Sequence, residues 1–360
     1  MRIGVIGAGV ISKTYLENLT SFPDVTVTAI GDLRPESAKA RAEEFGIATH
    51  GSVEVVLAND EVDLVVNLTI PAAHADVARA AVAAGKHVWN EKPLTMELDQ
   101  ARALLDEATA AGVRVGCAPD TVLGSGWQEV RRIIERGDIG QPLTALTLFQ
   151  SPGPDLWHPN PDFLFAAGGG PLLDIAPYYF TALVQLFGPI TTVSGVGSTA
   201  RERRQIIKGP RAGEMFDVTV PTHVGALLGF RDGGVAQSVF SFDSAVKRNQ
   251  VEISGSEGTM LTSDPNTFGG EIKIIRPGGE YETVATAVQK STRGTGVLDM
   301  VRSIAAGEDH RASGALAYHV LETMLAIEKN LGGPGTGIAS TVEKPALLPE
   351  DWDPLAATLS

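Results

Sequence analysis

The chain has 360 residues, 43% hydrophobic and 20% charged, which is enough material for two domains with separate cores, and it carries a formal net charge of −14. A surplus of that sign repels phosphate backbones and anionic lipid, so nucleic acid and membrane surfaces are excluded as general partners. No apolar run approaches the ~20 residues of a membrane span, a strand pattern from Arg2 leaves no room for a leader, and the single cysteine, Cys117, excludes an internal disulfide framework, so a cytoplasmic protein is expected.

The predicted elements begin with a buried strand over residues 3–6 that runs into Gly7-Ala8-Gly9 and a helix over 11–19. Gly7 allows a tight turn and Gly9 lets backbone approach a pyrophosphate, which then sits over the helix start at Val10 and Ile11. Ser12 replaces the third glycine of this fingerprint, which predicts slightly looser helix–strand packing. A second strand, 25–30, leads to Asp32, near the ~20-residue distance at which an acid accepts hydrogen bonds from the adenosine ribose hydroxyls. A carboxylate there repels a 2′-phosphate, so NAD is the expected cofactor. Arg34, able to stack on adenine, leaves NADP admissible.

Helices over 35–45, 73–84 and 98–111, closed by Gly46, Gly85 and Gly112, alternate with strands over 62–69, 86–90 and 114–118. That alternation predicts an α/β fold, a doubly wound parallel sheet forming a Rossmann dinucleotide-binding domain over 1–121. Ligands of such sheets bind beyond the carboxyl ends of the strands, where strand order reverses. Asp32, Thr69-Ile70-Pro71, Glu91-Lys92-Pro93 and Pro119-Asp120 all fall at such ends. Cys117 reads as a buried strand end.

From residue 122 the texture changes. Strands are expected over 143–150, 191–197, 216–220, 223–230, 235–242, 251–254, 259–261 and 271–275, with helices over 126–136, 178–187, 297–306 and 314–331 covering one side. This is an α+β domain, 122–331, built on a large, mostly antiparallel open sheet. Residues 224–230 are apolar on both faces, so the uncovered side is expected to meet another copy of the chain in a homodimer or homotetramer. The Gly-, Pro- and Ala-rich stretch 332–360 reads as a tail, an arm or mobile end. The turn-rich segment 152–161, carrying Trp157 and His158, is the expected functional loop.

Three motifs then stand together: Gly7-Ala8-Gly9 after the first strand, Glu91-Lys92-Pro93 after a later one, and Gly168-Gly-Gly170-Pro-Leu-Leu-Asp174-Ile-Ala-Pro-Tyr178. They resemble the Gfo/Idh/MocA oxidoreductase family, and the likeness runs over most of the chain, including a closing Arg311-Ala-Ser-Gly314 segment. The resemblance implies hydride transfer between NAD(H) or NADP(H) and a hydroxyl or keto carbon of a sugar, cyclitol or related polyol. It also implies a cis bond before Pro93. The family commonly has histidine at the Tyr178 position. Tyrosine there resembles its glucose-fructose oxidoreductase and dihydrodiol dehydrogenase branches, in which a tyrosine is the proposed proton donor.

Oxidising a secondary alcohol needs a hydride acceptor, a base for the hydroxyl proton, and groups that hold the carbinol carbon in place. Lys92 is the expected acid/base, since burial and a cationic nicotinamide both disfavour its ammonium form. Glu91 contacts the cofactor's ribose or orients Lys92. Asp174 and Tyr178, four apart, share a face if their segment is helical, although Pro177 favours a helix start or kink there. Competing readings give Asp174 to a helix cap, Tyr178 to the core, and His158 to the surface. Trp157 and His158 offer a surface for a sugar ring. Asp120, where many relatives carry an Asn-x-Arg element, is a candidate for a substrate hydroxyl. Thr69, Pro71 and His74 are candidates for the cofactor. The seven histidines show no metal-ligand spacing, so no metal is expected. Two other classes stay open: a cofactor-binding sensor or corepressor without turnover, and an enzyme that recycles NAD internally, for instance to cleave a glycoside.

Overall fold

The computed structural model describes residues 1–359. In chain order its elements are β1 (Arg2–Ile6), α1 (Val10–Leu19), β2 (Thr26–Gly31), α2 (Pro35–Phe45), β3 (Thr49–Gly51), α3 (Val53–Leu57), β4 (Leu64–Asn67), α4 (His74–Ala83), β5 (His87–Asn90), α5 (Leu98–Ala111) and β6 (Val115–Cys117). There follow α6 (Ser125–Arg136), β7 (Pro142–Gln150), α7 (Gly170–Phe187), β8 (Ile190–Ser198), β9 (Arg203–Gln205), β10 (Met215–Asp217), β11 (His223–Phe230), β12 (Val235–Ser241) and β13 (Arg248–Gly255). The last are β14 (Thr259–Thr262), β15 (Ile272–Ile275), β16 (Glu282–Val284), α8 (Thr295–Ala306), α9 (Gly314–Lys329) and β17 (Thr336–Gly337). Packing divides the chain into two compact units, one of residues 1–124, 288–321 and 345 onward, the other of 125–287 and 322–344. The expected contiguous stretches 1–121, 122–331 and 332–360 differ from this division, because the chain returns twice to its first unit.

The first unit holds a six-stranded sheet in the order β3-β2-β1-β4-β5-β6, all parallel. β4 is buried along its whole length, as a strand covered on both faces must be. Strand order reverses between β1 and β4, so the ligand-binding crevice opens over the ends of those two strands. The core joins Ile3, Val5, Leu16, Leu64, Val66 and Trp89 to Val297, Leu298, Met300 and Val301 of α8. The helix expected over 297–306 therefore packs in this unit and does not cover the large sheet. An apolar helix face does not state which sheet it covers, and the small residue Gly116 on β6 makes the room here: a Cβ there would lie 2.8 Å from Trp89 and 3.0 Å from Met300. Of the two readings of the tail, an arm or a mobile end, the contacts of its last described residues favour an arm. Asp24 accepts hydrogen bonds from the amides of Thr358 (3.0 Å) and Leu359 (2.9 Å) and from the Thr358 hydroxyl (2.8 Å), while Arg302 pairs with the same carboxylate at 2.8 Å.

The second unit holds a nine-stranded sheet, β16-β15-β14-β13-β7-β12-β11-β8-β17, antiparallel except for the parallel pair β7 and β12. α7 packs on its covered face. Tyr179 and Phe180 meet Phe240 of β12 edge-on, each with ring centroids 5.6 Å apart, and Phe187 stacks on Phe230. The strand expected over 216–220 is shorter, Met215–Asp217, and pairs with β9 as a separate ribbon. The helix expected from residue 178 begins at Gly170. Pro177 lies inside it, removing one amide donor without ending the helix, because every residue of α7 except Asp174 is buried and packing holds the turn.

Candidate active site

In the first unit the pyrophosphate turn forms as its residues require. Gly7 has φ 105°, and a Cβ on it would lie 2.6 Å from the Leu68 carbonyl oxygen, so only glycine lets the β1 turn rest on the segment leaving β4. Gly9 caps α1 with no side chain over the helix start, leaving the amide end of the helix open, and Val10 is 93% exposed beside it. Ser12 is buried, and its hydroxyl donates to the Gly9 carbonyl at 2.6 Å, so the third-glycine position is filled by a side chain that bonds back to its own turn. Asp32 accepts the Ala8 amide at 2.7 Å on one oxygen and the Arg34 amide at 2.8 Å on the other, which binds the end of β2 to the glycine turn and aims the carboxylate over it. These features fit the adenosine and pyrophosphate halves of a dinucleotide: an open amide end for phosphate and a fixed acceptor for ribose. Arg41 on α2 donates to the Gly9 carbonyl at 3.3 Å, a contact with the turn that no sequence motif marks.

The ends of β4 and β5 are knitted by buried polar residues absent from the candidate set. Asn67 accepts from the Thr69 hydroxyl at 2.6 Å and donates to Asn90 at 2.8 Å and to the His74 carbonyl at 3.1 Å; Asn90 donates to the Leu94 carbonyl at 2.9 Å. The one available signal was an asparagine closing an apolar run at the carboxyl end of each strand. His74 is fully buried, with Nδ1 2.7 Å from the Pro93 carbonyl and Nε2 3.1 Å from the Thr69 carbonyl. It thus contacts the backbone of Thr69 and offers no surface of its own. Pro71 opens a 3-10 turn, Pro71–Ala73, that leads into α4.

Lys92 and Glu91 follow β5 directly, and the Lys92–Pro93 bond is cis, as the resemblance implied; Ala118–Pro119 is cis as well. Glu91 receives the Tyr15 hydroxyl at 2.8 Å on one oxygen and the Lys92 amide at 2.9 Å on the other. Asp120 is corrected. Its side chain is fully buried and one oxygen takes the amides of Gly294 (2.8 Å) and Gly296 (3.0 Å) before and at the start of α8, with Arg293 at 3.8 Å from the other. Burial pushes its carboxyl above the usual range, opposed by Arg293 and the two amides. An Asp so placed serves the helix and has no surface for a substrate hydroxyl. Cys117 is buried, and burial pushes its thiol well up, which leaves it inert.

In the second unit Asp174 and Tyr178 occupy α7 one turn apart, so they share a face. Gly169 caps the helix, which removes the cap reading for Asp174. Tyr178 is buried, as its core reading requires, and the hydroxyl of its neighbour Tyr179 bonds Asp264 at 3.3 Å. The glycine run serves the chain's own packing: Gly170 has φ 81°, and a Cβ on Gly169 would lie 2.4 Å from the Phe163 carbonyl. Trp157 is 62% exposed, and His158 stands edge-on between it and Phe163, with both centroid distances 5.5 Å. The loop that carries them is held by buried Arg204, which donates to Asp155 at 2.8 Å and to the Pro152 and Phe242 carbonyls at 3.1 and 2.8 Å, and pairs with Asp243.

Among the described residues no group of His, Cys, Asp and Glu is arranged to hold a metal, and no helix is long and apolar enough to cross a membrane. Residues 1–118 match the family model described as the oxidoreductase family with an NAD-binding Rossmann fold, GFO_IDH_MocA, and residues 127–261 match the GFO/IDH/MocA C-terminal domain. The chain belongs to the Gfo/Idh/MocA family. It is therefore an NAD-binding oxidoreductase of a family whose relatives act on CH–OH or keto groups of sugars and polyols. One Gfo/Idh/MocA relative, dTDP-3,4-didehydro-2,6-dideoxy-alpha-D-glucose 3-reductase of Streptomyces violaceoruber, is 30% identical over 332 residues, covering 89% of this chain and 92% of its own. Another, 1,5-anhydro-D-fructose reductase of Ensifer adhaerens, is 27% identical over 361 aligned positions, covering 95% and 98%. A solved levoglucosan dehydrogenase, in complex with NADH and L-sorbose, superposes with a TM-score of 0.81 at 21% identity over 94% of this chain and 99% of that one, which shows the shared fold.

Proposed function

We propose that the protein transfers hydride between NAD(H) and a secondary hydroxyl or keto carbon of a sugar, cyclitol or related polyol, with Lys92 as the acid/base and Tyr178 assisting. The observation that carries this reading is Lys92 standing directly after β5, on a segment bonded through His74, Asn67 and Asn90 to the segment after β4, at the crevice end of an NAD-binding sheet. The bound nicotinamide supplies the hydride acceptor or donor. In oxidation Lys92 Nζ takes the hydroxyl proton; in reduction its ammonium polarises the carbonyl and returns the proton. Asp174 accepts hydrogen bonds from substrate hydroxyls, and the Tyr178 phenol donates on the same face of α7. Trp157 presents its ring face, and His158 a polar edge, to the sugar.

Gly7, Gly9, Val10, Ile11, Asp32, Arg34, Thr69, Pro71, His74 and Glu91 form or support the cofactor cradle in this reading, with NAD preferred over NADP through Asp32. Two curated relatives named as sugar 3-reductase and anhydrofructose reductase support a keto sugar as the reduced-direction substrate. Association as a homodimer or homotetramer belongs to the same proposal. It is supported by Val196 and Leu227, exposed on the sheet where a groove of about 420 Å³ is also lined by Leu146, Gly225 and Val239. Light scattering on Leu227→Glu is expected to show a smaller assembly than the parent, and equal masses would count against this surface.

The direct test is absorbance at 340 nm with NAD⁺ and a panel of neutral aldoses, inositols, anhydrosugars and glycosides. Turnover on any of them establishes the class and picks out the substrate. Silence with measurable NADH binding favours the sensor reading, and tightly co-purified NAD with no net cofactor consumption favours internal recycling.

A further inference from the structure

Tyr15 is fully buried on α1, the helix whose open end forms the phosphate cradle, yet its hydroxyl points at the base segment after β5. It accepts the Trp89 indole N–H at 3.3 Å and donates to Glu91 Oε1 at 2.8 Å. Glu91 Oε2 in turn accepts the Lys92 amide at 2.9 Å. A buried phenol needs some partner, and the Trp89 indole alone would give it one. The further bond to Glu91 does more, because it completes a fixed path from α1 to the backbone of Lys92.

The carboxylate so held is a negative charge one residue from an ammonium. Glu91 and Lys92 act together, and in opposite senses, on both His74 and Cys117, so their charges share one neighbourhood. A carboxylate that turned to pair with Lys92 would favour the ammonium and hold the proton that a base must lack. Burial pushes the Tyr15 phenol well above its ordinary value, with Glu91 and Asp120 adding to the rise and Arg293 opposing it, so Tyr15 is a donor throughout the working range of pH.

We propose that Tyr15 is a positioning residue for Lys92: its hydroxyl clamps the Glu91 carboxylate against the protein and so keeps it from pairing with the Lys92 ammonium. The inference rests on the reading of Lys92 as the proton-transfer group, but its test does not need a substrate.

The experiment is competitive acetylation of the protein by acetic anhydride across pH, with the Lys92 peptide quantified by mass spectrometry, on the parent, Tyr15→Phe, Glu91→Gln and the double variant. Tyr15→Phe is expected to move the Lys92 midpoint up by about one pH unit, the shift an approaching opposite charge brings, which means about tenfold less neutral amine below the midpoint. Glu91→Gln is expected to produce no rise, and the double variant to match Glu91→Gln. NADH affinity in Tyr15→Phe stays within about twofold, since one removed hydrogen bond leaves the glycine turn untouched. An unchanged midpoint in Tyr15→Phe, or a rise that persists without the Glu91 charge, overturns the proposal. Should Tyr15→Phe not fold, Glu91→Asp, one methylene too short to reach the phenol, is read by the same two outcomes. If Lys92→Ala retains turnover while the midpoints move as stated, the proposed function fails and the clamp stands.

Discussion

The imidazole Nδ1 of His74 lies 2.7 Å from the carbonyl oxygen of Pro93, the residue that follows the proposed base. Nε2 faces the Thr69 carbonyl at 3.1 Å, so the ring stands between the segments after β4 and β5; as neutral imidazole it donates to one of the two carbonyls, and as imidazolium to both.

That placement predicts a pH dependence of stability. Burial holds His74 below the ordinary histidine range, with Lys92 acting the same way and the Pro93 and Thr69 carbonyls and Glu91 opposing; burial likewise lowers His87 and His310. The unfolded chain takes these protons near pH 6.5 while the folded chain resists them, so stability is full above that pH and declines as pH falls below it. Each such group contributes at most about 1.4 kcal/mol per pH unit. Calorimetric unfolding midpoints between pH 8 and 5 should fall on acidification. His74→Gln should flatten the fall, and an identical slope in the variant would remove His74 from the account.

Asp32 gives the second prediction. Its oxygens hold the Ala8 and Arg34 amides, and the same carboxylate is the proposed acceptor for the ribose hydroxyls. Losing a charged hydrogen bond, about 1.5–3 kcal/mol, should raise the NADH Kd of Asp32→Ala by roughly ten- to a hundredfold. NADPH, relieved of the repulsion, should lose less or gain. Fluorescence titration with both cofactors reads the ratio, and an unchanged NADH-to-NADPH preference would contradict the role.

The glycine turn, Asp32 and the Glu-Lys-Pro segment were legible because each depends on residues adjacent in sequence and on a strand–turn–helix period that the chain displays locally. Asp120 was not. What buries it is the start of α8, 174 positions away at Gly294, and nothing near Pro119 announces that contact. α8 itself was foreseen as a helix but set on the wrong sheet, since an amphipathic pattern states that a face is buried and not what buries it. The start of α7 was missed because Pro177 reads as a breaker in isolation. In the fold the surrounding burial outweighs one absent amide bond. Asn67, Asn90 and Tyr15 escaped for a related reason: a polar group in an apolar run shows its purpose only when its partner on the next strand or helix is in view.

The central claim is that Lys92 moves the substrate proton, and the measurement that tests it most directly compares initial rates of NADH formation at 340 nm for the parent and Lys92→Ala, with NADH Kd measured on both. On a panel substrate that the parent turns over, removal of a general base predicts a rate loss of roughly 10²–10⁴, with NADH affinity within about threefold. Equal rates in the two proteins would contradict the account.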